Sequence, residues 1–397
     1  MRAVTRSLSE FTDRNIDLND FANSDGYLFV RDGVGVAGQG CAGRVASTDA
    51  SDFLASIEHD TTTQSVGSGP ILIGCVPFIT SEPHSFLLPN VMISKDADGQ
   101  AWLTAVDGAN VDLEARPNAP ETSSSYTVNP GVSVEKYLAA VTTARDAVRS
   151  GELTKAVIAR DVVVESSNPI DLHALLLRLR ASFGSSYRYS YEGFVGASPE
   201  LLVAVNGAHV TSHPLAGTTR RTGDPTTDAA LAAALLASAK NQIEHRVVVD
   251  MVHDTMLPWC SYLDEEPEAS IVAVANVQHL GTHLSGVLSQ PAPSILDLVY
   301  ALSPTPALGG HPRGDALKLI ATHEGFDRGK YGGAVGWMDA RGNGTWAVAI
   351  RCAELSADRR TARLFAGGGI VADSDPASEL AETQAKLQAI LAAIIRP

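Results

Sequence analysis

The feature that most restricts this chain is a run of bare backbone near its end. Ala366-Gly367-Gly368-Gly369-Ile370 follows a strand-like stretch, Trp346 to Arg351, and precedes Ser374-Asp375-Pro376. Three consecutive glycines leave a run of bare backbone amides. The Ser-Asp-Pro triplet predicts a helix start, with Ser374 or Asp375 as cap and Pro376 in the first turn. That helix carries Glu379, Glu382 and Lys386 at offsets i, i+3 and i+7, which puts all three on one face. Two carboxylates and a lysine beside exposed amides can hold a hard cation together with an anion. Taken alone, the pattern is more commonly that of a solvated helix face with an i,i+4 ion pair.

The rest of the chain mixes hairpins with helices, which predicts an α+β fold over a parallel doubly wound one. Gly26 to Val30 reads as a strand turning at Arg31-Asp32-Gly33, and 69–74 and 87–93 as further strands. Residues 107–131, rich in Pro, Ser, Thr and Asn, read as a long connection. A helix is expected from Ser133 to Ser150, a strand over 153–164, a helix over 171–183, and strands at 187–191 and 201–205. One long helix is expected from Asp228 to about His253, ended by Pro258. Strands at 271–277 and 334–339 flank a helical region near 294–302.

Charge and cysteine usage narrow the function. With 30 basic and 45 acidic residues the net charge is −15, which argues against nucleic acid or an anionic membrane as partner. An anionic substrate would need local cations. The four cysteines are widely spaced with no CxxC, as in a reduced cytoplasmic protein. The first thirty residues lack a signal-peptide core, and no apolar run reaches membrane-span length. Walker, GxSxG and HExxH patterns are absent.

Several polar residues sit where chemistry is possible. Lys155 shares a strand face with Val157 and Ala159, so it is either a desolvated general base or an edge lysine. Glu200, after Gly196-Ala-Ser-Pro199, is a positioned acid or a turn residue. Glu244 lies one turn after Lys240 and faces inward towards a metal or pairs on the surface. The loop His213 to Arg221, with Gly217 and Thr218, can offer amides to a carboxylate.

Taken in order, longer motifs stand out. They are Leu153-Thr-Lys155-Ala-Val-Ile-Ala-Arg160, Phe194-Val-Gly-Ala-Ser-Pro-Glu200, Ser212-His-Pro-Leu-Ala-Gly-Thr218 and Lys240-Asn-Gln-Ile-Glu-His-Arg246. Val277-Gln-His-Leu-Gly281, Ser303-Pro-Thr-Pro-Ala-Leu-Gly309, Phe326-Asp-Arg-Gly-Lys-Tyr331, Val335-Gly-Trp337 and Ala349-Ile-Arg-Cys-Ala-Glu-Leu355 follow. With the C-terminal segment, this set resembles the chorismate-utilising enzymes related to anthranilate synthase component I, and among them the isochorismate synthases.

The resemblance implies one catalytic domain over 1–397, with 1–130 as a variable N-terminal part and 131–397 bearing the motifs. It implies large antiparallel sheets at the core with helices outside, and Mg²⁺-dependent conversion of chorismate to isochorismate. Lys155 would be the base on water at C2 and Glu200 the acid on the C4 hydroxyl. Glu244 and Glu382 would ligate Mg²⁺, with Glu379 acting through water. Gly217, Thr218, Gly367 and Gly369 would meet substrate through the backbone loop and strand. Tyr331, Arg351 and Lys386 would reach its carboxylates, while His279, Leu308, Ile350 and Phe365 line the pocket. No amidotransferase partner is implied, and a monomer is expected. The product's fate, menaquinone, siderophore or salicylate, is left open.

Departures from the pattern are Leu380 for an aromatic residue, Asn241 for Asp, Gly368 for Ala, and Tyr331 where some isochorismate synthases carry Phe. The last keeps salicylate synthase, with pyruvate elimination after the same first step, as the alternative. The amination branch fits Lys155 and Glu244-His245-Arg246 poorly. Retention of the acidic and basic set argues against an inactive binding module.

Overall fold

Hairpins dictate the architecture. The computed structural model describes residues 1–114 and 124–395. At the first hairpin, Asp32 and Gly33 both take positive φ (50° and 82°), the twist that joins Tyr27–Arg31 to Val34–Gln39. Among the described residues such pairings build a 13-stranded sheet, a 9-stranded sheet and a small 3-stranded sheet. Nearly all neighbours are antiparallel, and an edge pair, Arg2–Ser7 with Glu58–Thr61, is parallel. The two large sheets and surrounding helices are the α+β arrangement expected.

Alternation along each strand decides what lies between the layers. In Tyr27–Arg31, Phe29 points into a core shared with Ile73, Phe86, Val203 and Trp346 of the 9-stranded sheet. Its neighbours Leu28 and Val30 point the other way, onto Leu175, Leu176 and Leu179 of the helix Leu172–Phe183 and Ile390 of the C-terminal helix. The large sheet is thus buried on both faces. Strands from the first hundred residues lie inside both sheets: Tyr27–Arg31 pairs with Tyr187–Tyr191, and Ile71–Val76 pairs with Ala334–Asp339.

Local signals placed several ends well. Ser133 Oγ accepts from the Lys136 amide to start the helix Val134–Arg149, and Asp171 caps Leu172–Phe183 through Ala174. Asp375 Oδ2 accepts from the Ser378 amide, so Asp375 is the cap of Pro376–Ile395, while Ser374 Oγ accepts from Val371.

Other expectations are corrected. The run 87–93 is two strands, Ser85–Leu88 and Val91–Lys95, in different sheets, because Pro89-Asn90 turns the chain between them. The single helix from 228 is two, Pro225–Ala237 and Ala239–Met256. Ser238 breaks them by taking an extended conformation and capping the second through the Asn241 amide. The run 271–277 divides into Ser270–Ala273 and Val277–Gly281, joined by a short turn. Trp346 to Arg351 is no continuous strand: Gly344–Val348 ends first, and Arg351 has φ 55°. Within 107–131, residues 115–123 lie outside the described residues, and Tyr126–Pro130 is an edge strand rather than loop.

Phe86 tests the packing between the sheets. It is fully buried, meets Trp346 edge-on at 5.5 Å between ring centroids, and fills the space over Gly74. Phe86→Ala should cost about 3–5 kcal/mol, read as a lowered urea midpoint. An unchanged midpoint would contradict this account of the core.

Candidate active site

Among the links by which the chain crosses between the two large sheets, two open on the same cavity. Phe194–Ser198 belongs to the 13-stranded sheet and Leu201–Asn206 to the 9-stranded one, so Pro199-Glu200 is the link. Gly344–Val348 and Cys352–Leu355 are divided in the same way, with Ile350-Arg351 between them. The small sheet adds Leu215–Arg220 and Val277–Gly281, bringing Gly217, Thr218 and His279. Together they enclose about 280 Å³.

All sixteen residues singled out from the sequence line this one cavity. Lys155 begins the strand Lys155–Ser166, which pairs with Thr361–Ile370 so that Val157 faces Gly369 and Ala159 faces Gly367. Lys155 is buried, and its Nζ lies 2.9 Å from Glu244 Oε1 of the helix Ala239–Met256. The alternative of a surface Lys240–Glu244 pair is thereby replaced: Glu244 is held by a lysine from another element.

The glycine run makes this approach possible. A Cβ on Gly369 would stand 2.5 Å from Glu244 Oε1 and 2.7 Å from Lys155 Cε. On the other strand face, a Cβ on Gly368 would stand 2.9 Å from Glu379 Oε2 and 3.9 Å from Glu382 Oε1. Glu382 also takes the i,i+4 pair, 2.6 Å from Lys386 Nζ, which donates to the Gly367 carbonyl at 2.8 Å.

Glu200 differs from an ordinary turn residue. It is buried, and loss of solvation pushes its carboxyl up to about 8, against the pull of the Leu215 amide and the charges of Lys155, Arg351 and Lys386. The Leu215 N–H donates to Oε1 at 3.4 Å. Such a carboxyl is protonated at neutral pH and can give up a proton.

Arg351 is a buried cation with no salt bridge to a carboxylate among the described residues. Burial pulls its guanidinium down to about 10. Its Nη2 donates to His279 Nε2 at 2.8 Å. Burial and then the Arg351 charge hold His279 neutral, well below its usual range, with Nδ1 turned to the Gly217 carbonyl and Thr218 hydroxyl at 3.2 and 3.1 Å. The Arg351 turn is fixed from behind: Ala197 N–H donates to its carbonyl, and Tyr189 Oη donates to that of Ile350. An ordered, uncompensated guanidinium is a receptor for an anion.

The apolar wall is Leu308, Ile350, Phe365 and Tyr331, with the last two rings stacked 5.2 Å apart. Sequence reasoning passed over Lys240, Asn241 and Ser378, which also line the cavity. Lys240 is near enough for its charge to act on Glu379. The available signal was its place one helical turn before Glu244.

For a metal, the donor chemistry fits a hard divalent cation, since Glu244, Glu379 and Glu382 offer oxygen only. Burial first and Glu382 next push the Glu379 carboxyl up to about 7, against the pull of Ser374, Lys240 and Lys386. Among the described residues, however, no three His, Cys, Asp or Glu side chains converge as a metal cage.

Comparison with known proteins decides the family. Residues 41–395 match the chorismate binding enzyme family. The chain belongs to that family. A Mycobacterium tuberculosis protein named as a candidate isochorismate synthase, MenF, is 41% identical over 341 residues, covering 83% of this chain and 87% of its own. The Bacillus subtilis isochorismate synthase DhbC is 35% identical over 342 residues, covering 83% and 82%. The menaquinone-specific isochorismate synthase MenF of Escherichia coli has the same fold, with a TM-score of 0.85 at 23% identity over 100% of this chain and 94% of that one. Fold and family therefore agree with the resemblance carried by the motifs.

The Glu200 carboxyl has a consequence for stability. Its folded pKa lies above the unfolded carboxylate value, so between about 4.5 and 8 the folded state binds more protons. The stability this group contributes is present at low pH and is lost as pH rises through about 8. Glu200→Gln, which cannot ionise, should gain thermal midpoint relative to wild type between pH 5 and pH 9. A difference that does not change with pH would show that Glu200 is not held protonated.

Proposed function

We infer that this chain is an isochorismate synthase, an isomerase that converts chorismate to isochorismate. The observation that carries the reading is Glu200: a carboxyl held protonated by burial, sharing a cavity with the buried amine of Lys155 and the guanidinium of Arg351, which has no carboxylate partner among the described residues. Adding water to C2 of the ring and removing the C4 hydroxyl needs a base on one side and an acid on the other. Lys155 takes the proton from water as its oxygen bonds to C2. The electron pair is pushed through the ring's conjugated double bonds and leaves with the C4 oxygen, which departs as water with the Glu200 proton. Atoms balance, one water entering and one leaving.

Chorismate is a dianion and the protein carries −15, so local cations must dominate. Arg351, fixed by His279, binds one carboxylate. Lys386, already shared between Glu382 and the Gly367 carbonyl, sets the charge at the glycine strand. The amides of Gly217, Gly367 and Gly369, with the Thr218 hydroxyl, receive the remaining oxygens. His279, Leu308, Ile350 and Phe365 shape the space around the ring. Glu244 and Glu382 would hold Mg²⁺, with Glu379 beside them. When bound, the ion supplies positive charge that orients and neutralises a substrate carboxylate.

The whole chain is read as one catalytic unit, because strands from its first hundred residues are inserted in both sheets. It acts as a monomer without an amidotransferase, in the cytoplasm. Free thiols at all four cysteines accord with that compartment. No helix among the described residues is long and apolar enough to cross a membrane. Menaquinone and siderophore synthesis are the pathway classes this product can enter.

Chorismate with Mg²⁺ and no ammonia should yield isochorismate, seen by chromatography, and excess EDTA should stop it. Full turnover in EDTA would remove the metal. Lys155→Ala should lose kcat by about two orders of magnitude or more, and a near wild-type kcat would take Lys155 out of the base role.

One observation favours a second reading, salicylate synthase. The Tyr331 hydroxyl faces the strand at Gly367, 3.1 Å from where a Cβ would stand, and can hold a substrate group longer. Tyr331→Phe should therefore reduce any trace of pyruvate, measured with lactate dehydrogenase, without slowing isochorismate formation. Stoichiometric pyruvate from the unmodified protein would promote the salicylate synthase reading.

A further inference from the structure

The Phe326-Asp-Arg-Gly-Lys-Tyr331 motif contains a buried charge that the reaction does not use. Arg328 and Glu324 are an i,i+4 pair with side chains 2% and 1% exposed. Arg328 Nε donates to Glu324 Oε2 at 2.7 Å and Nη2 to Oε1 at 2.6 Å. The pair also bonds the main chain at three points. Nη2 donates to the Val157 carbonyl and Nη1 to the Leu308 carbonyl, both at 2.8 Å, and the Ala159 amide donates to Glu324 Oε1 at 2.6 Å.

These contacts fall in a gap. One edge of the strand Lys155–Ser166 is covered by Thr361–Ile370 throughout its first half. On the other edge, Lys155 and Ala156 pair with His311 and Gly310, and the Val157 amide donates to the Gly309 carbonyl. Pairing with Tyr126–Pro130 begins at Val162, just after the Gly131 amide meets the Asp161 carbonyl. Between them no strand among the described residues covers the Val157 carbonyl or the Ala159 amide. The guanidinium supplies the missing donor and the carboxylate the missing acceptor. The guanidinium further lies 4.3 Å over the Phe78 ring and 5.8 Å from that of Tyr331, and the Tyr331 amide donates to the Arg328 carbonyl.

We propose that Glu324 and Arg328 are positioning residues, a side-chain substitute for a strand that fixes Lys155 on one side and the Leu308–Tyr331 wall on the other. A buried ion pair contributes little net stability against apolar groups of similar size. Its function here is registry: one rigid fork ties the base-bearing strand, the Leu308 loop and the Tyr331 ring. Lysine at 328 keeps the charge but, lacking the planar fork, cannot bond Glu324, Val157 and Leu308 together. Misplacing Lys155 by an ångström lowers turnover while Arg351 still binds substrate.

This inference rests on the isochorismate synthase reading, so the first control is isochorismate formation by the wild-type protein; its absence would fail that reading alone. Two variants are compared with wild type, Arg328→Lys and the double variant Glu324→Leu with Arg328→Met. Arg328→Lys should keep its thermal midpoint within a few degrees, and the double variant, which leaves the Val157 carbonyl and Ala159 amide without partners, should fall further while still unfolding cooperatively. Each should lose kcat by about tenfold to a hundredfold, with KM for chorismate changed less than about threefold, and release a larger fraction of pyruvate. Amide exchange over 155–161, which needs no activity, should quicken in both. Wild-type kcat and product ratio in either variant would overturn the proposal. So would kcat, KM and midpoint falling together in Arg328→Lys, or unchanged exchange at 155–161.

Discussion

The site depends on missing side chains at Gly367 and Gly369. At Gly369 a Cβ would collide with the Lys155–Glu244 pair, whereas at Gly368 it would meet only the movable end of Glu379, 2.9 Å away. At Gly367 it would press on Tyr331 Oη and Ala159 Cβ, 3.1 and 3.3 Å away. Bare backbone at Gly369 lets a lysine and a carboxylate meet against a central strand, in the cavity that also receives the carboxylates of the C-terminal helix. The same thinness lets Lys386 reach the Gly367 carbonyl. The strand is at once a structural member of the largest sheet and the floor of the cavity.

The charges are arranged against the protein's own acidity. Arg351 is buried and lacks a carboxylate partner among the described residues, at a turn held by Ala197 and Tyr189. Its neighbour His279 is kept neutral, so it accepts from Arg351 and does not repel it. Glu200 is kept protonated by the same loss of water that makes Arg351 attractive to an anion. Desolvation thus performs two tasks: it turns a carboxylate into an acid and makes a guanidinium a strong receptor.

Much of the secondary structure was legible because local chemistry sets it. Ser133, Asp171 and Asp375 cap the helices they precede, and Asp32-Gly33 turns the first hairpin. Misreadings arose where one residue interrupts an apolar run: Asn90 after Pro89, Ser238 between two helices, and Arg351 at positive φ. The breaks at Asn90 and Arg351 are fixed by partners from elsewhere in the chain, whereas Ser238 acts locally by capping the helix it precedes. The strands in 87–93 even join different sheets, a choice no local pattern contains.

The sequence alone determined which residues come together in the cavity, because the ordered motifs around Lys155, Glu200, Gly217, Glu244, Arg351 and Glu379 resemble those of the chorismate-utilising enzymes. It could not determine their state. That Glu244 pairs with Lys155 and not Lys240, that Glu200 is protonated, and that Glu324 and Arg328 complete a strand edge all follow from burial and from contacts between residues far apart in the chain. Residue type travels with the sequence, whereas solvation and partner are properties of the packed fold.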